Sequence, residues 1–172
     1  PFWRTLMTNQ PTNPEIDNKP LVVLPVTMAD IMTQIALENT VRANLRPANK
    51  AAVFAALAGA GIATVVVTFD GYGDSGQIES IDARSSDADV PLPEETIAIV
   101  GIVWGRSEPE ARTLSVREAI EHLVYDALSE THGGWENNEG AYGEFVFDVP
   151  ALEIRLDYNE RITSSEFYAH TF

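Results

Sequence analysis

Ser115-Val116-Arg117-Glu118-Ala119-Ile120-Glu121-His122-Leu123-Val124-Tyr125-Asp126-Ala127-Leu128-Ser129-Glu130 reads as one amphipathic helix with its start signal attached. Ser115 and Glu118 have the spacing of a capping box, and Leu114 and Ala119 are placed as its hydrophobic staple. Val116, Ala119, Ile120, Leu123, Val124, Ala127 and Leu128 recur at helical intervals and build one unbroken apolar stripe, which must be covered by another element. Gly133-Gly134 stops the helix. Beyond the stop, Phe145, Phe147 and Val149 alternate with outward positions, and Leu152, Ile154, Leu156 and Tyr158 do the same after Pro150-Ala151. That pattern predicts a hairpin with one buried face, on which the helix can lie.

Working outward, Ile62 to Phe69 is rich in β-branched residues and reads as a buried strand. The turn Asp70-Gly71-Tyr72-Gly73-Asp74-Ser75-Gly76 leads into a second strand, Gln77 to Arg84, which makes another hairpin. Ser85 to Glu95 is polar and proline-bearing, hence a loop, and Thr96 to Trp104 is an apolar run whose periodicity fits either a central strand or a buried helix. Upstream, Thr27 and Asp30 form a second capping box before Met28, Ile31, Met32 and Ile35. Pro47 disfavours helical geometry at Arg46, so the helix is expected to end there. A second helix carrying Val53, Phe54 and Leu57 then follows. The order ααβββαββ predicts an α+β fold, an antiparallel sheet of about five strands with helices packed on one face. Residues 1–20, with Pro11, Pro14 and Pro20, read as a flexible N-terminal arm, and 21–172 as a single α+β domain.

The 172 residues hold 26 Asp and Glu against 11 Lys and Arg, a formal charge of −15. Such acidity argues against direct binding to nucleic acid or to anionic membranes, both of which attract basic surfaces. No membrane-length apolar run and no secretory leader are visible, so a soluble, cytoplasmic protein is expected. Cysteine is absent, which removes disulfides, thiolate metal sites and cysteine nucleophiles together. The charge is concentrated in two segments. Asp70 to Glu95 carries eight acids against Arg84 alone, and Glu130 to Glu160 carries eight against Arg155 alone, so each nets −7.

Three short motifs overlap in the first glycine turn. Gly71, Gly73 and Gly76 match the spacing of a dinucleotide fingerprint, but strand rather than helix is predicted after them, and Asp70, Asp74 and Glu79 would repel phosphate. Gly73-Asp74-Ser75-Gly76 spells the nucleophile tetrapeptide of chymotrypsin-like proteases, yet His122, His132 and His170 all follow the serine, against that family's chain order. Asp70, Asp74 and Glu79 are hard oxygen donors that suit a divalent cation, at spacings outside the EF-hand pattern.

Phe69-Asp70-Gly71-Tyr72-Gly73-Asp74-Ser75-Gly76-Gln77-Ile78-Glu79 and His132-Gly133-Gly134-Trp135-Glu136-Asn137-Asn138-Glu139-Gly140-Ala141-Tyr142-Gly143 resemble the two signatures of an uncharacterised bacterial domain family. Leu156-Asp157-Tyr158-Asn159-Glu160-Arg161 is similar as well. The family carries a domain-of-unknown-function label, and plasmids and other mobile elements often encode its members. The resemblance implies a bacterial, cytoplasmic setting and transfers no catalytic residue.

The sequence therefore leads to a non-catalytic, acidic protein-interaction module. Its partner would be a protein with a basic surface, and the sharpest version is an antagonist or accessory of a basic nucleic-acid-handling protein. The candidate binding residues are Asp70, Tyr72, Asp74, Gln77, Glu79, Glu153 and Asp157, with the polar loop Glu136, Asn137, Asn138 and Glu139 around Trp135 as an aromatic anchor. No catalytic residue, cofactor or resident metal is assigned. The alternative is a metal-binding domain or metal-assisted hydrolase built on the Asp70–Glu79 turn with Glu136, Glu139 or His132. A homo-oligomer with Thr96–Trp104 at a subunit interface is a third arrangement.

Overall fold

A computed structural model describes residues 27–102 and 108–172; the arm expected over 1–20 lies outside them. The elements run α1 (Met28–Gly59), β1 (Thr64–Tyr72), β2 (Ser75–Ser85), β3 (Ala88–Val90), β4 (Thr96–Ile102), β5 (Pro109–Ser115), α2 (Val116–Thr131), β6 (Ala141–Asp148) and β7 (Glu153–Glu160). Five strands form an antiparallel sheet in the order β3-β2-β1-β6-β7, and β4 and β5 form a separate two-stranded ribbon. The chain is an α+β fold.

The core follows the alternation. Val65, Val67 and Phe69 of β1, Ile81 and Ala83 of β2, and Phe145 and Phe147 of β6 all turn inward. There they meet Val53, Phe54 and Leu57 of α1 and Ala119, Ile120, Leu123, Val124 and Leu128 of α2. The capping box opens α2 as the sequence requires: Glu118 N donates to Ser115 Oγ at 3.2 Å, and Ser115 N donates to Glu118 Oε2 at 2.8 Å.

Two expectations are corrected. The two helices predicted on either side of Pro47 are one continuous helix of 32 residues. A proline inside a helix removes the hydrogen bond to the carbonyl four residues back and crowds it, at about 3 kcal/mol. Here Pro47 and Ala43 are both exposed, so water can serve the freed carbonyl. The helix is also held on both sides of the proline. Arg42 and Arg46 pair with Asp126 and Glu130 of α2, and Asn49, Val53, Phe54 and Leu57 are buried beyond it.

The second correction concerns the residues around 85–115. The apolar run from Thr96 is a strand over Thr96–Ile102, and its partner β5 was invisible as a strand because Pro109-Glu110-Ala111-Arg112-Thr113-Leu114-Ser115 has neither alternation nor a β-branched majority. Pairing, not propensity, makes it one. The run sits against α1 rather than in the main sheet. Buried Asn49 donates through Nδ2 to Val100 O at 2.7 Å and accepts from Val100 N at 2.9 Å, so it closes the free edge of β4. The loop expected over Ser85–Glu95 contains the short edge strand β3.

Candidate functional site

The β1–β2 connection is the tightest kind of hairpin. Gly73 and Asp74 occupy its two central positions with φ of 61° and 71°, the left-handed pair that a type I′ turn demands. Behind the turn, Gly71 and Gly76 are cross-strand neighbours. Their lack of side chains makes a flat bed for the indole of Trp135: a Cβ would stand 2.7 Å from the ring at Gly71 and 2.3 Å at Gly76. Trp135 is buried and meets Phe69 edge-on, with centroids 5.4 Å apart. Of the three glycines of the dinucleotide-like spacing, one serves the turn and two serve an aromatic ring.

The loop that carries Trp135 also closes over the turn. Gly73 N donates to Asn138 O at 2.9 Å and Asp74 N to Glu136 O at 3.2 Å. Asn137 N donates to Gly134 O and Gly140 N to Asn137 O, both at 2.9 Å, and Asn138 takes a positive φ of 58°. Asn137 and Asn138 thus shape the loop through their backbone, while their side chains and that of Glu139 face solvent. The exposed aromatic rings at this end are Tyr72 and Tyr142; Trp135, the expected anchor, belongs to the core.

Arg161, quoted with the closing segment Leu156–Arg161 but not among the candidate binding residues, ties the end together. Its Nη2 donates to Asp70 Oδ2 at 2.8 Å, its Nη1 to Gly71 O at 2.9 Å, and its guanidinium lies 4.7 Å from the centre of the Tyr142 ring. It is the sole Lys or Arg from Leu156 onward. A lone arginine after two acidic strands is a signal of an internal ion pair. His132 stacks on Tyr158 at 3.7 Å between centroids. Burial, then the charges of Glu160 and Glu136, holds the Tyr158 hydroxyl above its ordinary value.

The cation arrangement is not assembled. Among the described residues no three His, Asp or Glu side chains converge as metal ligands. Asp74 sits in the turn, and Glu79 stands five residues along an extended strand, about 17 Å away. Asp70 is held by Arg161 instead. Glu79 accepts from Gln77 Nε2 at 2.9 Å.

What the fold does bring together is the two acidic segments. Pairing of β1 with β6 joins the two hairpins in one sheet. Its outer face carries Asp82 on β2, Asp70 on β1, Glu144 and Asp148 on β6, and Glu153 and Asp157 on β7, while their odd- or even-numbered neighbours turn to the core. Glu144 is directly opposite Asp157, and Asp148 directly opposite Glu153. An open groove of about 500 Å³ crosses the face, with Asp70, Glu79, Tyr142, Glu144 and Asp157 in its walls. The cations nearby are engaged: Arg155 with Asp157 at 3.1 Å and Arg84 with Asp89 at 2.8 Å. Of the predicted residues, Asp70, Glu79, Glu153 and Asp157 share this face. Tyr72, Asp74 and the 136–139 loop form the end of the sheet beside it.

A family model described as a family of unknown function matches residues 45–172, which takes in both glycine-rich segments, the whole five-stranded sheet and the ribbon. The chain belongs to the family DUF6878. No curated protein and no solved structure matches it. The DUF6878 match begins inside α1, two residues before Pro47, so the first half of that helix lies outside it. No helix among the described residues is long and apolar enough to cross a membrane.

Proposed function

We propose that this DUF6878 domain is a non-catalytic docking module whose acidic sheet face engages a protein with a basic surface. The observation that carries the reading is the two acidic cross-strand pairs: Asp148 opposite Glu153, neither with an ion-pair partner among the described residues, and Glu144 opposite Asp157, where Arg155 offsets one of the two charges. Like charges directly opposite on one sheet face destabilise it. Solubility needs acidic residues somewhere on the surface, but it does not need them facing each other. A partner that supplies Lys or Arg across these rows would relieve the repulsion, which gives the arrangement a function. Tyr72, Asp74 and the loop Glu136–Glu139 extend the surface at the turn end. In its sharper form the partner is a nucleic-acid-handling protein in a bacterial cytoplasm, which takes the carboxylate rows in place of phosphates, and the chain is its mobile-element-encoded antagonist or accessory.

The test is association with an oligoarginine peptide, followed by surface plasmon resonance as salt is raised. Exposed rows of charge act over about one Debye length, ~8 Å at physiological ionic strength, so association is expected to slow steeply with salt. The double variant Glu153→Lys/Asp157→Lys should slow it far more than Glu38→Lys/Glu166→Lys, which makes the same charge change on α1 and in the segment after β7. Equal effects of the two double variants would refute the assignment of the face.

A further inference from the structure

Among the described residues, nothing covers the inner face of the main sheet to its edge. Ile154 and Leu156 of β7 turn toward the helices yet stay half-buried. Beside them opens a slot of about 280 Å³, floored by Phe145 and Phe147 and walled by Leu123 and Ala127 of α2. Its mouth carries Arg46, Lys50 and Glu130, a net charge of one positive. Arg42, Arg46 and Lys50 follow one another at one-turn intervals on α1, and the last two line the slot. Arg42 pairs with Asp126 and Arg46 with Glu130, but Lys50 makes no ion pair among the described residues. Its ammonium sits 5.5 Å from the centre of the Phe54 ring.

On a chain of net charge −15, an unpaired ammonium at the mouth of an apolar slot reverses the character of the surrounding surface. An anion placed beside that ammonium would accept a charge-assisted hydrogen bond from it. We propose that the slot binds a small anionic amphiphile. Its carboxylate would lie on the Lys50 ammonium, and its hydrocarbon part against Leu123, Ala127, Ile154 and Leu156. Glu130 also stands at the mouth, but its charge is matched by Arg46. The volume is just under the ~300–1,000 Å³ of sites for drug-sized ligands, which selects a short or medium-chain carboxylate over a long lipid. This site is independent of the acidic outer face, on the opposite side of the sheet.

Decanoate and decyltrimethylammonium are the matched probes, titrated by calorimetry below their micelle concentrations, with methyl NMR to place them. Saturable binding of decanoate is expected, with shifts at Ala127, Ile154 and Leu156 and at least tenfold weaker binding of the cationic analogue. Lys50→Glu should weaken decanoate at least tenfold while leaving the melting temperature near wild type. Ala127→Phe, which fills the slot, should abolish it. Equal affinity for both amphiphiles, insensitivity to Lys50→Glu, or shifts confined to the exposed Met28, Ile31 and Ile35 or to Phe167 and Tyr168 would overturn the proposal.

Discussion

The indole of Trp135 fills the space that a side chain at Gly76 would need: a Cβ there would stand 2.3 Å from its Cη2. Gly71, across the strand pair, has the same ring 2.7 Å away and the Glu136 backbone at 2.8 Å. Gly76→Ala and Gly71→Ala are therefore expected to destabilise by about 1–3 kcal/mol each, the range for overpacking. In a chain of this size that is a fall in Tm of roughly 2–4 °C per kcal/mol. Gly73→Ala has open space but a φ of 61°, so its penalty is one of backbone strain, and it should survive in the presence of Trp135→Phe unchanged. Thermal melts of the three single variants and of the Trp135→Phe doubles separate the two causes. A Gly76→Ala protein with wild-type Tm would show that the ring does not bear on the strand.

How much of this was legible depends on the range of the interaction that decides each element. The α2 helix, both hairpins and the inward faces of β6 and β7 follow from local periodicity and caps, and stand where the residues put them, except that Leu152, read as the first inward residue of β7, is an exposed turn residue with a φ of 56°. The adjacency of Gly71 and Gly76 to Trp135 is a contact between segments some sixty residues apart, for which no local pattern exists. Glycines that make room for a ring look the same in sequence as glycines that make a turn. Likewise β5 exists because β4 offers it an edge, and α1 survives Pro47 because Asp126 and Glu130 lie across from Arg42 and Arg46. The acidic face was half legible: alternation gives each hairpin its outward carboxylates, and only the β1–β6 pairing merges them.

Pro47 offers a direct check on the continuous helix. Because the residue is exposed and the helix is held on both sides, Pro47→Ala should restore one backbone hydrogen bond without disturbing the packing. The helix gains up to about 3 kcal/mol from propensity, reduced by the greater freedom that alanine gives the unfolded chain, so a net gain of about 1–2 kcal/mol is expected. The midpoint of urea unfolding should rise with an unchanged slope. A loss of stability would mean that the chain breaks at this point after all.

Asn49 closes the β4 edge with both ends of its amide, and it is the sole buried polar side chain among the described residues. Asn49→Leu leaves Val100 N and Val100 O facing an apolar group. Each unsatisfied backbone group costs about 1–3 kcal/mol, so a loss of several kcal/mol is expected. Hydrogen exchange at Val100 should accelerate along with it. Unchanged exchange there would detach the ribbon from α1.

Asp126 supplies the pH dependence. Burial pushes its carboxyl up, but the hydrogen bond and charge of His122, with Nδ1 at 3.1 Å, and the charge of Arg42 outweigh it, and the net value lies below the ordinary 3.8. A carboxyl with a folded value below its unfolded one contributes stability that is complete above the unfolded value and disappears as pH falls through the folded one. Asp126→Asn should therefore melt below wild type at pH 6, and the gap should close progressively under about pH 4. A gap that stays constant down to pH 3 would take the ionised Asp126 out of the link between α1 and α2.

The like-charge pairs on the outer face make stability and recognition move in opposite directions. Glu153→Lys places a cation directly opposite Asp148, where wild type has two carboxylates. Removing a cross-strand repulsion and adding an attraction are each worth roughly 0.2–1 kcal/mol, so the variant should melt above wild type. Glu144→Gln, opposite Asp157, should gain less, because it removes a repulsion without adding an attraction. Both variants should bind a basic peptide more slowly than wild type. If they are less stable, the rows are screened by water and ions and hold no unfavourable energy for a partner to relieve. If they are more stable and bind equally fast, the repulsion is real but the face is not the docking surface.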